Sequence, residues 1–220
     1  MARAVLPRVA IVSGCVLVLS GGAQASPIPI ANGDFETGTL AGWTSFTTVN
    51  GTTGPPTVVP FDTTGAGATN AARFLIGQLS FISGDEQGGG IYQDFVAPGG
   101  SLSFHADIAA HNQTVFNNGS GGRFSLLLDG VTITSFDFGF IATGAIERAS
   151  LSYVGAVAPG THELRLLITR PFLAGPPPNG TPYQFIDNVR IEAVPEPATL
   201  TLFGIGLASL AAFRRRPRAQ

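Results

Sequence analysis

Apolar and polar residues alternate one for one through the middle of the chain. Leu102, Phe104, Ala106 and Ile108 share one phase; Ser101, Ser103, His105 and Asp107 take the other. A period of two marks a strand with one buried face. Phe124, Leu126 and Leu128 repeat the pattern, Asp129-Gly130 interrupts it, and Val131 and Ile133 resume it. Asp-Gly between two apolar runs predicts a hairpin with a type I′ turn, because glycine tolerates the positive φ such a turn needs. His162, Leu164, Leu166 and Ile168 form another alternating set. With candidates at 43–47, 73–76, 91–96, 149–154 and 184–192, about nine strands are expected. Pro98-Gly99-Gly100 and Pro159-Gly160 each precede a strand and predict turns that pass between sheets. No stretch of the middle carries a sustained apolar stripe of helical period. The pattern therefore predicts an antiparallel sandwich or barrel. Segments 50–70 and 171–182, rich in Gly, Pro, Thr and Asn, are expected to be long loops.

Both ends depart from this pattern. Arg3 and Arg8, an apolar stretch at 9–19 and Ala23-Gln24-Ala25 form the three parts of a secretory signal peptide, residues 1–25. Cleavage there starts the mature chain at Ser26 and removes Cys15, the single cysteine. Neither a disulfide nor a cysteine-based zinc site is then available to the body. Val12-Ser13-Gly14-Cys15 loosely matches a lipoprotein box, but a cut before Cys15 leaves about four apolar residues ahead of it, too few for a signal core. At the other end, Val194-Pro195-Glu196-Pro197 precedes an apolar run at 198–213 and then Arg214-Arg215-Arg216-Pro217-Arg218. As a helix the run spans ~24 Å, slightly less than the ~30 Å hydrocarbon core. It is expected to be a transmembrane helix with its arginines in the cytoplasm. The body between the two addresses is residues 26–193, and the tail is 194–218.

Charge sharpens this picture. All 12 basic residues are arginine, and charged residues make up only 12% of the chain. The body holds 13 acids and 6 arginines, a net charge of about −7. Such a surface argues against nucleic acid and other polyanions as partners. Gly and Pro supply 45 of 220 residues, which favours turns, while 44% hydrophobic content excludes a disordered chain.

Pro-Glu-Pro, a short apolar helix and a terminal arginine cluster together resemble the PEP-CTERM sorting signal of Gram-negative bacteria. The resemblance covers 194–218, with Pro195, Glu196, Pro197, Arg214, Arg215 and Arg216 as its sorting residues. It implies recognition by an exosortase-type membrane enzyme. It also implies membrane anchoring through the C-terminal helix before processing, and a final place at the cell surface or in the extracellular matrix. A second resemblance lies in the body. Asn32-Gly33-Asp34-Phe35-Glu36-Thr37-Gly38 with Gly42-Trp43, and Phe185-Ile186-Asp187-Asn188-Val189-Arg190-Ile191, are similar to the opening and closing strands of galactose-binding-like jelly rolls. Several carbohydrate-binding modules belong to that group, and 98–104 and 124–130 also fit. This resemblance implies an all-β, antiparallel jelly-roll β-sandwich, flanked by the signal peptide and the transmembrane helix. It says more about fold than about function.

Phe185, Asp187, Val189 and Ile191 alternate, which places Asp187 on the apolar phase of its strand. A carboxylate there must be hydrogen-bonded, paired or metal-bound. In the resembled modules, acids at the positions of Glu36 and Asp187 bind a structural Ca²⁺, so the resemblance implies a calcium site; strand-end N–H groups are the alternative. Trp43 is either a sugar-stacking platform or a core anchor following the first turn. Tyr92, Tyr183 and Arg123 lie near loops and complete the candidate ligand-binding set. No catalytic constellation emerges. His105, His111 and His162 lack metal-ligand spacing, there is no Gly-x-Ser-x-Gly elbow, and Asp85-Glu86 reads as a solvated turn. The expected function is that of an exported, non-enzymatic surface or matrix protein. The alternatives are a carbohydrate-binding module for exopolysaccharide and, behind it, a polysaccharide hydrolase.

Overall fold

The computed structural model of the chain describes residues 25–113, 119–175 and 181–195, together with Gly206. Residues 24–195 form one compact unit. The expected transmembrane helix at 198–213, Glu196, Pro197 and the arginine cluster lie outside the described residues, Gly206 excepted, as does the signal peptide up to residue 24.

Strands follow in the order β1 (Ser26–Ile28), β2 (Thr44–Thr47), β3 (Gly51–Thr52), β4 (Thr57–Phe61), β5 (Thr69–Phe74), β6 (Gly77–Gln78) and β7 (Gln87–Ala97). They continue as β8 (Gly100–His111), β9 (Arg123–Leu128), β10 (Val131–Asp137), β11 (Ile146–Val157), β12 (Gly160–Arg170) and β13 (Tyr183–Ala193). One sheet has the order β11-β8-β13-β5-β4, with β1 added to β13; the facing sheet has the order β10-β9-β12-β7-β2. Every pairing between these strands is antiparallel. The protein is an all-β jelly-roll sandwich.

The alternation sets which side chains meet between the sheets. Leu102, Phe104, Ala106 and Ile108 from β8 face Phe124 and Leu126 from β9 and Leu164, Leu166 and Ile168 from β12, all buried in one cluster. Asp129 and Gly130 both have positive φ, 51° and 78°, which is the type I′ turn expected between β9 and β10. Pro98-Gly99 carries the chain from β7 in one sheet to β8 in the other, and Ala158-Pro159 carries it back from β11 to β12. The first and last strands of the body are neighbours, Ile28 opposite Ile191.

Two expectations are corrected. Segment 50–70 is not a structureless loop: it contains β3, β4 and the start of β5. Thr57-Val58-Val59-Pro60-Phe61 was obscured by its proline, yet β4 is an edge strand, where a residue with no N–H to donate is tolerated. Nor do Phe185, Asp187, Val189 and Ile191 share one face. The pairing of β13 with β8 slips by one residue between Asp187 and Arg190, and Asn188 sits at φ 50°. This is a β-bulge, with an extra residue that reverses the phase of the strand. Val189 and Ile191 point between the sheets, whereas Phe185 packs with Ala71 and Ala109 in a separate cluster.

Candidate functional site

The two ends of the sandwich differ in construction. At one end lie the short turns after β7, β9 and β11 and the exit of β13 toward Pro195. At the other lie four longer connections, 79–86, 112–122, 138–145 and 171–182. Between these four connections opens a cleft of about 300 Å³, lined by Glu86, Gly122, Arg123, Asp137, Phe140, Thr169 and Phe172 among others.

Register explains why the charged groups meet. Asp137 is paired with Arg123 across β9 and β10, and Thr169 with Arg123 across β9 and β12. Cross-strand partners project from the same face. Arg123 Nε donates to Glu86 Oε2 at 3.2 Å, Arg123 Nη2 lies 3.0 Å from Asp137 Oδ2, and Thr169 Oγ1 donates to Glu86 Oε2 at 3.0 Å. The hydrogen bond from Arg123 to Glu86, followed by the charges of Glu86 and Asp137, raises the Arg123 pKa above its ordinary value. The backbone N–H of Gly139 donates to Asp137 Oδ1 at 2.9 Å and fixes that carboxylate. Among the described residues Arg123 Nη1 and Glu86 Oε1 take part in none of these contacts, so they can serve a ligand as donor and acceptor. Phe140 and Phe172 flank the charges and are 71% and 40% exposed. Exposed aromatic rings beside fixed polar groups are what a ligand site offers.

Buried polar side chains hold the connections that shape this cleft. Arg170, fully buried, donates from Nε to Ser120 O at 2.7 Å and from Nη1 to Ile76 O at 2.9 Å. Desolvation pushes its pKa down to about 9, so it remains protonated at neutral pH. Gln184 accepts from Ile76 N–H at 3.0 Å and donates to Gly121 O at 3.3 Å; Asn112 donates to Ile141 O at 2.8 Å. Gln78 donates to Asp85 O at 2.7 Å and accepts from Ile82 N–H at 2.8 Å, binding the loop that presents Glu86.

Of the four residues expected to bind a ligand, only Arg123 lies in this cleft. Trp43 is 8% exposed, packs on Phe35 with ring centroids 5.9 Å apart, and donates from Nε1 to Asn32 O at 3.1 Å. It is a core anchor, since a buried ring has no face to stack on a sugar. Tyr92 lies on the outer face of the five-stranded sheet, edge-on to Phe46, with the Arg165 guanidinium over both rings. Tyr183 lies on the other sheet beneath Arg73, 4.8 Å from its ring centroid. Sequence reasoning missed Asp137, Thr169, Phe140 and Phe172, and took Glu86 for part of a solvated turn. The one signal for them was the run Phe136-Asp137-Phe138-Gly139-Phe140, which continues the β10 alternation past the strand's end.

Both acids of the expected calcium site have protein partners. Asp187, fully buried, accepts at Oδ2 from Thr69 at 2.7 Å and Thr63 at 3.2 Å, and at Oδ1 from Asn188 N–H at 2.7 Å. Glu36 accepts from Asn70 N–H at 3.0 Å and from Asn70 Nδ2 at 3.2 Å. Both Glu36 oxygens are thus held by Asn70, and both Asp187 oxygens by Thr63, Thr69 and Asn188. The residues as arranged do not fit a Ca²⁺ shared by Glu36 and Asp187, and among the described residues no three His, Cys, Asp or Glu side chains converge for a metal. Asp187 lies opposite Asp107 in the register. Asp107 accepts from Asn188 Nδ2 at 3.0 Å and contacts His105 Nε2 at 3.0 Å. Desolvation, opposed by the Thr69, Asn188 and Thr63 hydrogen bonds and reinforced by Asp107, raises the Asp187 pKa.

Residues 193–216 match the family model of the PEP-CTERM protein-sorting motif. The chain carries a PEP-CTERM sorting motif. The motif marks an exported protein, and it begins at Ala193, where β13 ends. A comparison with curated proteins finds no match. Among solved structures, the chain is similar to TmCBM61, solved in complex with β-1,4-galactotriose, with 13% identity, a TM-score of 0.47, and coverage of 76% of this chain and 98% of that one. It is also similar to a family 35 carbohydrate-binding module from Clostridium thermocellum, with 15% identity, a TM-score of 0.39 and coverage of 78% and 100%. A third is the C-terminal family 22 carbohydrate-binding module of Clostridium thermocellum Xyn10B, with 18% identity, a TM-score of 0.41 and coverage of 76% and 97%.

Proposed function

We propose that this PEP-CTERM protein is an exported cell-surface or extracellular-matrix protein whose sandwich holds carbohydrate of the surrounding exopolysaccharide without altering it. An exosortase-type enzyme acts on the tail, and the Arg123 cleft does the holding. One observation carries the reading: Glu86, Arg123 and Asp137 form a fixed polar floor between two exposed phenylalanines. Vicinal hydroxyls of a pyranose match a neighbouring donor and acceptor such as Arg123 Nη1 and Glu86 Oε1. The ring's C–H face matches an aromatic wall. Hydrolysis is the weaker reading, because Arg123 fills the space between the two carboxylates in which a glycosidic oxygen or an attacking water would have to sit.

Retention of matrix polysaccharide by cells carrying Arg123→Ala tests this. The variant should be exported and melt like the wild type while retaining several-fold less polysaccharide, since it loses a charge-assisted hydrogen bond. Unchanged retention would remove the cleft from the function. Replacing Arg214, Arg215 and Arg216 by Ala is the separate test of sorting; processing and surface location should both fail.

A further inference from the structure

We infer that the Arg123 cleft selects neutral and, above all, amine-bearing sugar residues and rejects acidic ones. This rests on the carbohydrate reading above and adds the charge class of the ligand.

The argument begins with how Arg123 is used. An arginine that grips an acidic sugar offers its fork to the incoming carboxylate. Here Nε and Nη2 already face Glu86 and Asp137, at 3.2 Å and 3.0 Å. A uronate would have to displace one of those carboxylates and leave it beside the newcomer. Glu86 and Asp137 already outnumber Arg123, and a uronate makes three acids against one arginine. The wider surface does not compensate, because the body carries 13 acids and 6 arginines and the chain has no lysine. Its field repels a polyanion before contact.

An ammonium group meets the opposite situation. Glu86 Oε1 is open to it, and the exposed faces of Phe140 and Phe172 attract a cation as well as the apolar face of a sugar ring. The apolar rim continues past the cleft. Leu79, Phe81, Ile82 and Leu173 are exposed. Their two segments are joined by Gln78 N–H to Phe172 O at 2.9 Å and Ala174 N–H to Gln78 O at 3.0 Å. Acetylating the amine removes the charge and keeps the ring, so it isolates the electrostatic contribution.

Calorimetry of the full chain in detergent tests this with three soluble probes: an oligomer of glucosamine, the same oligomer N-acetylated, and an oligomer of galacturonic acid. At low salt the glucosamine oligomer should bind about fivefold tighter than its acetylated form, the scale of an exposed ion pair. The acidic oligomer should not bind measurably. High salt should narrow the preference, and Glu86→Gln with Asp137→Asn should abolish it, the acetylated and the amine-bearing oligomers then binding alike and more weakly than to the wild type. Equal binding of the acidic oligomer, or an amine preference that survives in the double variant, overturns the charge assignment alone. Binding of none of the three overturns the carbohydrate reading and this inference with it.

Discussion

The turn end and the cleft end of the sandwich are built from the same strands by different means. At the turn end the chain reverses in two residues at Pro98-Gly99, Asp129-Gly130 and Ala158-Pro159. These turns need only backbone conformations that proline and glycine supply, such as φ 78° at Gly130. At the cleft end the connections are several times longer, and their carbonyls and N–H groups must be satisfied one by one. Arg170, Gln184, Asn112, Gln78 and Thr181, all essentially inaccessible to solvent, supply partners beyond the backbone bonds the connections make among themselves. A tight turn shapes itself. A long loop that must present Glu86 or Phe140 in one place needs a side chain beneath it, and a buried polar group serves only while all its partners are in place.

The largest expected effect breaks the cleft end alone. Arg170→Met fills the volume but leaves Ser120 O and Ile76 O without their donor. Each orphaned carbonyl costs about 1–3 kcal/mol, partly offset because a charge is no longer buried, so a net loss of about 2 kcal/mol is expected. Hydrogen exchange should lose protection first around 76–78 and 119–122, while Leu126, Leu128 and the Asp129-Gly130 hairpin keep theirs. Uniform loss along both ends would mean that the two are not separately supported.

The same contrast explains what could be read in the sequence. Every strand with clean alternation was legible, as were the Asp129-Gly130 turn and the two sheet-crossing turns, because period and turn chemistry are local. Phe104 and His105 fall on opposite sides of β8 as their phases predict. The cleft was legible only through Arg123. Glu86, Asp137 and Thr169 come from three separate segments and meet through register, which composition does not encode. Asp187 was misread for a related reason. Its burial was legible, but Asn188 resembles any other strand residue until its positive φ is known, and that bulge sends Asp187 to the outer face under Thr63 and Thr69.

Asp187→Asn sharpens this point with a smaller effect. Burial raises the Asp187 pKa, so the folded state holds the proton more tightly than the unfolded one. The sign follows: folding is favoured while the carboxyl is protonated in both states, and stability falls as pH rises from about 4, the unfolded value, through the raised folded value. Asparagine keeps the shape and an acceptor oxygen but has no proton to lose. Urea melts between acid and neutral pH should show a shallower decline for the variant, which should match or exceed the wild type at pH 7. An identical slope would show that Asp187 is ionised without cost, as a bound cation would make it. That result would reopen the calcium site.

The smallest effect belongs to the turn end. Asp129 Oδ2 lies 2.6 Å from His162 Nδ1, its Oδ1 accepts from Glu163 N–H at 2.9 Å, and Ala158 O lies 2.9 Å from His162 Nε2. Both imidazole nitrogens therefore face acceptors, an arrangement only the doubly protonated ring satisfies. The hydrogen bond to Asp129 raises the His162 pKa, and the bond from His162 lowers that of Asp129. A raised histidine contributes stability that is complete below its unfolded value of about 6.5 and is lost as pH rises through the folded value. A lowered aspartate contributes stability that is complete above about 3.9 and is lost as pH falls through its folded value. The pair thus stabilises most between those limits and fades on either side. Because Asp129 is half exposed, water and salt screen the contribution, and it should be the weakest of the three. Asp129→Asn suits the test, since asparagine tolerates the φ of 51° and can still accept from Glu163. The variant should lose stability slightly near pH 5 and not measurably near pH 9. Hydrogen exchange at the cleft end should be unchanged at both pH values. A loss that persists at pH 9 would place the role of Asp129 in the turn backbone and not in its ion pair.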